Sequence, residues 1–257
     1  MIASNGNFRL SSSMIGHLKA SMLKLREQRF LLATMYFQSV LGDWPSCDWT
    51  TEYGKEHWMY LKGFRDLGCA PNSNDTRHFK AAVDFWKEEG ELFEDIRLDP
   101  ERSFVSWKFS EFAFAEMSLM DRYALLTAQD IRRWRTDLDM DLYLQVFLHH
   151  KMDRPEFGWF DHDNDATTGD FVPFKLKDVD RKLKDSLKRL GELTGYGIAV
   201  GYQQEGRAPG FTSAAIRLKH AGTEWRSGRI IKFPPRTKQF AILPSGGWPK
   251  QVKPTMD

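Results

Sequence analysis

Apolar residues recur at helical spacing along much of the chain. Met14, Leu18, Met22 and Leu25 follow one another at intervals of four and three residues, which predicts a helix over 14–40. Similar patterns predict helices or helical turns over four further segments: 51–66, 78–90, 118–135 and 136–152. The chain is therefore predicted to be rich in amphipathic helices.

The segment 176–195 has the clearest amphipathic pattern. On a helical wheel Val179, Leu183, Leu187 and Leu190 fall within about 80° of one another, at roughly 100° per residue. The opposite side of the same wheel is basic and contains Arg181, Lys182, Lys184, Lys188 and Arg189. We expect one face of this helix to be buried and the other to form a basic ridge.

Two of the predicted helices are each followed by residues that predict a β-hairpin. The segment 91–110 has two apolar runs around an Asp-Pro pair, which suits a turn between strands. Gly195 is expected to end the basic helix, and strands are then predicted over 195–204 and 211–220, joined by a Gly/Pro turn at 205–210. A helix followed by a hairpin is typical of winged-helix domains, although ordinary α+β fragments share the pattern.

These elements predict an α+β fold that is predominantly helical with short β-hairpins. We expect two tandem winged-helix-like domains, the first over 1–115 and the second, DNA-binding domain over 116–220. The remaining residues, 221–257, are predicted to form a C-terminal tail in which basic and aromatic side chains alternate.

The composition is that of an ordinary globular protein. Of the 257 residues 41% are hydrophobic and 28% are charged, which argues against intrinsic disorder. No stretch approaches the roughly 20 apolar residues of a membrane helix, and the N-terminal residues lack the apolar core of a signal peptide. Cys47 and Cys69 form no Cys-x-x-Cys pair, so we expect no cysteine zinc site and no disulfide framework, and a cytoplasmic location fits best.

Charge is distributed unevenly along the chain. Residues 171–257 contain 17 lysines and arginines against 7 acidic residues, whereas residues 1–170 contain 20 against 28. Such segregation suggests a polyanionic partner for the basic part, although a solvated charged surface would give the same count. We expect the partner to be double-stranded DNA, and the acidic N-terminal part to support a homodimer or a contact with another protein.

Basic residues in four places are the predicted DNA contacts. The basic ridge is expected to enter the major groove, where arginine recognises guanine and lysine neutralises phosphate. Arg207 and Arg217 are the expected contacts of the hairpin. The tail would touch phosphates through Arg229, Lys232 and Arg236, and the first domain through Arg77, Lys80 and Lys87. Aromatic residues between the cations of the tail suit single-stranded nucleic acid, although the tail could instead pack on the protein body.

A loop rich in histidine and aspartate suggests a rival function. Its potential metal ligands are His149, His150, Asp153, Asp161, His162, Asp163 and Asp165. The alternating Asp161, Asp163 and Asp165 resemble the start of a calcium loop, but Ala166 and Val172 stand where that loop needs Gly and Glu. A metal-dependent nuclease centred on 149–165 is therefore the enzymatic alternative, and a solvated polar loop is the simpler interpretation.

Motifs of other enzyme classes are missing from the sequence. It contains no phosphate-binding P-loop, no Gly-x-Gly-x-x-Gly after a strand, no nucleophile elbow and no His-Glu-x-x-His. We therefore expect no catalytic residue and no cofactor. We therefore expect a binding protein, which either acts on DNA directly or is a subunit of a larger nucleoprotein complex.

Two stretches of the chain resemble plasmid replication initiator (Rep) proteins. Residues 104–152, FVSWKFSEFAFAEMSLMDRYALLTAQDIRRWRTDLDMDLYLQVFLHHKM, resemble the junction between the two winged-helix domains of that family. Residues 179–218 are similar to its second domain, with a basic helix and then a short hairpin. The family has a further helix before the recognition helix, where this chain has the loop 154–174.

The resemblance implies tandem winged helices with different tasks. The first domain would serve dimerisation and secondary DNA contact. The second would bind repeated sites in a plasmid origin, so that the protein would initiate replication.

Overall fold

The computed structural model describes most of the chain in several segments. These segments are 7–21, 23–41, 54–70, 75–101, 103–118, 122–152, 156–159, 176–203, 213–220, 238–242 and 250–251. The chain divides into two compact units, Met1–Met140 and Asp141–Asp257. Each unit combines helices with small antiparallel sheets, so the predicted α+β class is confirmed.

The first unit contains six helices and five strands within the described segments. In chain order they are β1 (Asn7–Ser11), α1 (Ser12–Ala20), α2 (Leu25–Leu41), β2 (His57–Tyr60), α3 (Leu61–Asp66), α4 (Arg77–Glu89), β3 (Phe93–Leu98), β4 (Phe104–Phe109), α5 (Glu111–Ser118), β5 (Tyr123–Thr127) and α6 (Ala128–Arg133). Strands β2, β4 and β3 form an antiparallel sheet in that order, and β1 pairs with β5.

The predicted helix 78–90 and hairpin 91–110 are confirmed as α4 and the β3–β4 pair. Gly90 ends α4 in the left-handed region at φ 73°, where a residue without Cβ is favoured. The hairpin turn is closed by a hydrogen bond from the Asp99 N–H to the Phe104 carbonyl at 3.0 Å. Helix α4 packs on β3 and α2 through Phe79, Val83 and Trp86 on its buried face.

Aromatic side chains fill the core of the first unit. Phe64 stacks on Phe30 with ring centroids 5.1 Å apart and meets Trp107 edge-on at 6.0 Å. The indole N–H of Trp107 donates to Gln38 Oε1 at 3.1 Å, so this buried polar atom is satisfied. Large, rigid rings of this kind bury much apolar area at little conformational cost.

In the part of the second unit that the structure describes there are a further sheet and two long helices. Its elements are α7 (Asp137–His149), which contains the division between the units, β6 (Glu156–Trp159), α8 (Leu176–Thr194), β7 (Tyr196–Gln203), β8 (Ser213–His220), β9 (Lys238–Ile242) and β10 (Lys250–Gln251). The sheet has the order β10-β9-β7-β8-β6 with antiparallel neighbours. The predicted helices 136–152 and 176–195 and both predicted strands are thus present.

The same connectivity occurs in both units. In the first, β2 comes before α3 and α4, and the β3–β4 hairpin returns so that β4 lies between β2 and β3. In the second, β6 comes before α8, and the β7–β8 hairpin returns so that β8 lies between β6 and β7. A strand, a helix and a hairpin therefore repeat with the same pairing order.

Three helix predictions were wrong in part. The helix predicted over 14–40 is interrupted between α1 and α2, and the segment 51–66 forms β2 before α3. The segment 118–135 contains β5, which pairs with β1, as well as α6. In each case pairing or capping with distant residues outweighs local helical spacing.

The division between the units also differs from the predicted ranges. The boundary after Met140 lies later than the expected boundary after residue 115, because β5 pairs with β1 and α1 packs against α5. In the predicted tail, Lys238–Ile242 pairs with β7 and so forms part of the second sheet. Within the described segments, no helix has both the length and the apolar character needed to cross a bilayer.

Candidate nucleic-acid interface

Helix α8 buries one face in the second unit, as predicted. Leu183 and Leu187 are fully buried and Leu190 nearly so, and Ser186 lies among them. These residues recur at i, i+3, i+4 and i+7, which is the spacing of one helical face. The helix packs on β7 and β9, so the sheet holds its orientation.

The other face of α8 is predominantly basic. Its exposed cations are Arg181, Lys182 and Lys188, whereas Lys184 and Arg189 are half-buried. Arg189 donates from Nη2 to Ser186 Oγ at 3.0 Å, which ties its guanidinium to the helix surface. Two exposed acids, Asp185 and Glu192, interrupt the ridge. The five cations therefore outnumber the acids between positions 181 and 194, and the face can attract an anionic polymer.

The end of α8 leads directly into the hairpin. Gly195 adopts a left-handed φ of 70°, and its N–H donates to the Gly191 carbonyl at 2.9 Å. The Thr194 hydroxyl accepts the N–H of Tyr196 at 3.3 Å, which joins the helix end to β7. The predicted stop at Gly195 is confirmed, and this one residue separates α8 from the first strand of the hairpin.

Arg217, a predicted hairpin contact, is engaged within the protein. It lies on β8 opposite Glu156 of β6, and its Nε donates to Glu156 Oε2 at 2.5 Å. The two side chains are 29% and 38% exposed, so the pair is partly open to solvent. A cation already paired with a carboxylate contributes less to anion binding than an uncompensated one.

The predicted contacts of the first unit lie on the exposed face of α4. Arg77, Lys80 and Lys87 are all exposed there. Lys80 pairs with Asp84 at 2.5 Å, and Arg77 pairs with the carboxylate of Asp75. The pKa of Asp75 lies below its ordinary value, chiefly because its carboxylate accepts the backbone N–H of Arg77. This face carries both charges and is less basic than that of α8.

A groove in the first unit contains basic residues that were not predicted as contacts. This arginine groove has a volume of about 1170 Å³ and is lined by Arg29, Lys62, Arg132, Arg133 and Arg135 together with aromatic side chains. Arg29 donates to the carbonyls of Ile131 and Gly68, each at 3.3 Å. Burial lowers the pKa of Arg29 from its ordinary value. In the sequence, the run Ile-Arg-Arg-Trp-Arg at 131–135 is the feature that could have indicated this groove.

Of the metal-ligand candidates, His149 ends α7 and His150 follows it, and their Nδ1 atoms lie 2.8 Å from the carbonyl oxygens of Gln145 and Phe147 respectively. The remaining predicted residues lie outside the described segments. They are the hairpin and tail cations Arg207, Arg229, Lys232 and Arg236, and the metal-ligand candidates Asp153, Asp161, His162, Asp163 and Asp165. Their roles stay predictions.

Comparison with known proteins supports the architecture alone. No protein-family model and no curated protein matches the chain. The chain is similar in fold to a solved structure described as Pi initiator protein in complex with iteron DNA, with a TM-score of 0.56 and 14% sequence identity. The similarity covers 84% of this chain and 98% of that one. Because the sequence identity is so low, the similarity shows a shared fold and nothing more. That shared fold agrees with the Rep-like fold predicted from the sequence.

Proposed function

We propose that this protein binds double-stranded DNA sequence-specifically through two winged-helix domains and acts as a plasmid replication initiator on repeated origin sites. The observation on which this depends is the amphipathic helix α8, with leucines buried and cations exposed, directly before a β-hairpin. A winged-helix protein presents a helix to the major groove and a hairpin to the flanking phosphates in this order.

The repeated connectivity supports two domains of one type. Both units have a strand that pairs with the second strand of a hairpin, and a helix immediately before that hairpin. In this proposal α8 recognises bases and α4 makes secondary contacts, because α8 has the more basic exposed face. The fold shared with a Pi initiator protein bound to iteron DNA supports repeated sites in an origin as the target.

We assign the DNA contacts to the residues predicted from the sequence. Arg181, Lys182, Lys184, Lys188 and Arg189 form the major-groove contact, with Arg207 and Arg217 on the hairpin and Arg229, Lys232 and Arg236 in the tail. The secondary contact uses Arg77, Lys80 and Lys87. The arginine groove can add phosphate contacts, since guanidinium groups bind phosphate oxygens in pairs of hydrogen bonds.

A gel-shift experiment tests the proposal. The intact protein is mixed with duplex DNA from its own genetic neighbourhood at two salt concentrations, in the presence of magnesium. We expect binding that weakens steeply with salt and leaves the DNA uncut, because phosphate contacts release counterions.

The Lys184→Glu, Lys188→Glu double variant tests the position of the interface. It should lose the shift while keeping the circular dichroism spectrum of the native fold. Cleavage of the DNA that disappears in Asp163→Ala would instead indicate a nuclease. Weak DNA binding together with tight retention on a protein partner would indicate a subunit of a nucleoprotein complex.

A further inference from the structure

Three separate elements of the first unit bring potential metal ligands together. His17 lies on α1, Glu89 is the last residue of α4, and Glu91 follows in the turn before β3. One ligand atom from each side chain lies within 4.8 Å of the other two. We call these three residues the histidine–glutamate cluster.

The imidazole of His17 faces the cluster with a buried nitrogen. Its Nε2 is closed off from solvent and has no hydrogen-bond partner among the described residues. The nearest carboxylate oxygen, Glu89 Oε1, is 3.9 Å away, which is too long for a hydrogen bond. The ring is held edge-on against Phe112, with centroids 5.4 Å apart. A buried polar atom without a partner is uncommon in a folded protein and indicates that a further group can bind there.

The carboxylates are arranged so that a negative oxygen points at this nitrogen. Glu89 Oε2 accepts the backbone N–H groups of Glu91 at 3.2 Å and Leu92 at 3.4 Å, which leaves Oε1 directed towards His17. The C-terminal end of α4 adds the partial negative charge of its last carbonyl groups. Both contributions favour a cation at this position.

We propose that the histidine–glutamate cluster binds a divalent metal ion of the zinc class. One imidazole and two carboxylates form a three-ligand set for zinc, and water would occupy the fourth position. Imidazole favours zinc over magnesium or calcium, which prefer ligand sets made of oxygen alone. Zinc–ligand bonds are about 2.0–2.2 Å long, so the ligand atoms must approach one another, and the exposed side chain of Glu91 can rotate to do so.

Bound metal would join α1 to the turn between α4 and β3. Residues distant in sequence would then share one ion, which stabilises the first unit because the unfolded chain lacks the assembled site. The competing interpretation is a simple ion pair between protonated His17 and Glu89. That pair needs no metal, so the two interpretations predict different responses to zinc.

Calorimetric titration of the metal-free, full-length protein with zinc chloride tests the proposal. We expect one zinc ion bound by this cluster and a rise in the thermal unfolding midpoint when zinc is added. His17→Gln and Glu91→Gln should each weaken the binding at least about tenfold, since each removes a ligand. The matched control is Glu88→Gln, an exposed acid in the same stretch but outside the cluster, which should bind zinc as the native protein does.

Two further measurements keep the result unambiguous. An Asp161→Asn, Asp163→Asn variant removes two central candidate ligands of the His/Asp loop and should retain the zinc site. Cobalt in place of zinc should give a visible absorption band that is lost in Glu91→Gln. Glu91 is exposed, so this substitution leaves the fold intact. The proposal is overturned if zinc leaves the unfolding midpoint unchanged, or if His17→Gln and Glu91→Gln bind zinc as tightly as the native protein. DNA is absent from these experiments, so their outcome is independent of the proposed function.

Discussion

Neutralising two cations on the exposed face of α8 should weaken DNA binding by a calculable amount. Arg181 and Lys188 are seven residues apart, so they lie on the same side of the helix about 10 Å from each other. Both are exposed, and the double variant Arg181→Gln, Lys188→Gln should therefore change stability by no more than about 0.5 kcal/mol each. Its effect on DNA binding can then be measured in a folded protein.

The magnitude follows from counterion release. For duplex DNA the logarithm of the affinity falls with the logarithm of salt concentration at about 0.9 per phosphate contact. At about 0.15 M salt, each contact then accounts for a factor of about 5.5 in affinity relative to 1 M salt. Losing two contacts should weaken binding about 30-fold, or about 2 kcal/mol, and lower the salt slope by about 1.8.

Fluorescence anisotropy of a labelled duplex at five salt concentrations measures both quantities. Asp185 lies between the two cations on the same exposed face, so Asp185→Asn should strengthen binding by removing a repulsive charge. Lys24→Gln, an exposed lysine outside the proposed interface, should leave the slope unchanged. An unchanged slope in the double variant, or an equal loss in Lys24→Gln, would refute the assignment of α8 as the DNA-contacting helix.

Three further predictions test the packing and helix geometry of the two units. Leu187→Ala removes a fully buried side chain and should cost about 2–5 kcal/mol in urea unfolding, whereas Lys188→Ala should cost under about 0.5 kcal/mol; equal costs would contradict the orientation of α8. Gly195→Ala should cost about 1–2 kcal/mol in the same assay, because its φ is 70° and the new methyl group meets no atom within 4 Å, so only backbone strain contributes; a neutral result would contradict the left-handed helix end. Burial raises the pKa of Cys69 to about 12, so about one thiol in ten thousand is ionised at pH 8. In a Cys47→Ser variant, Cys69 should react with a disulfide reagent only after unfolding, and rapid labelling of the native protein would contradict its burial.

The elements that were predicted correctly have both their apolar periodicity and their termination signal within their own sequence. Helices α4 and α8 each combine an apolar face with a glycine that ends the helix in the left-handed region, and both signals lie within about twenty residues. The hairpin after α4 has strand-forming residues around an Asp-Pro turn. Local sequence is enough where both the periodicity and the termination lie inside the element.

The strands and the helix boundary that were missed depend on distant partners. The first backbone N–H of α2, at Leu25, donates to the Asp137 carboxylate at 2.6 Å, so the start of this helix is capped by a residue 112 positions away. Strand β2 forms by pairing with β4, and β1 by pairing with β5. Helix α2 is buried on nearly all sides between Phe30 and Ser39, so its apolar spacing shows no single face.

The candidate interface was predictable in part for the same reason. The basic ridge belongs to one helix and could be found by its period, whereas the arginine groove joins residues of α2, α3, α6 and the residues that follow α6. The ion pair of Arg217 with Glu156 joins two strands that are distant in sequence, so the sequence alone could not predict it either. A site that is built from several separate elements can be recognised only once the fold is known.

Photocrosslinking from α8 tests the central claim most directly. A photoreactive residue replaces the exposed Lys182, and duplexes that the protein selects from a random pool serve as the target. The account predicts crosslinks to bases of the enriched sequence, at guanines whose methylation at N7, on the major-groove edge, prevents binding. Failure to enrich any sequence, or crosslinks that form as well from position 24 as from position 182, would contradict it.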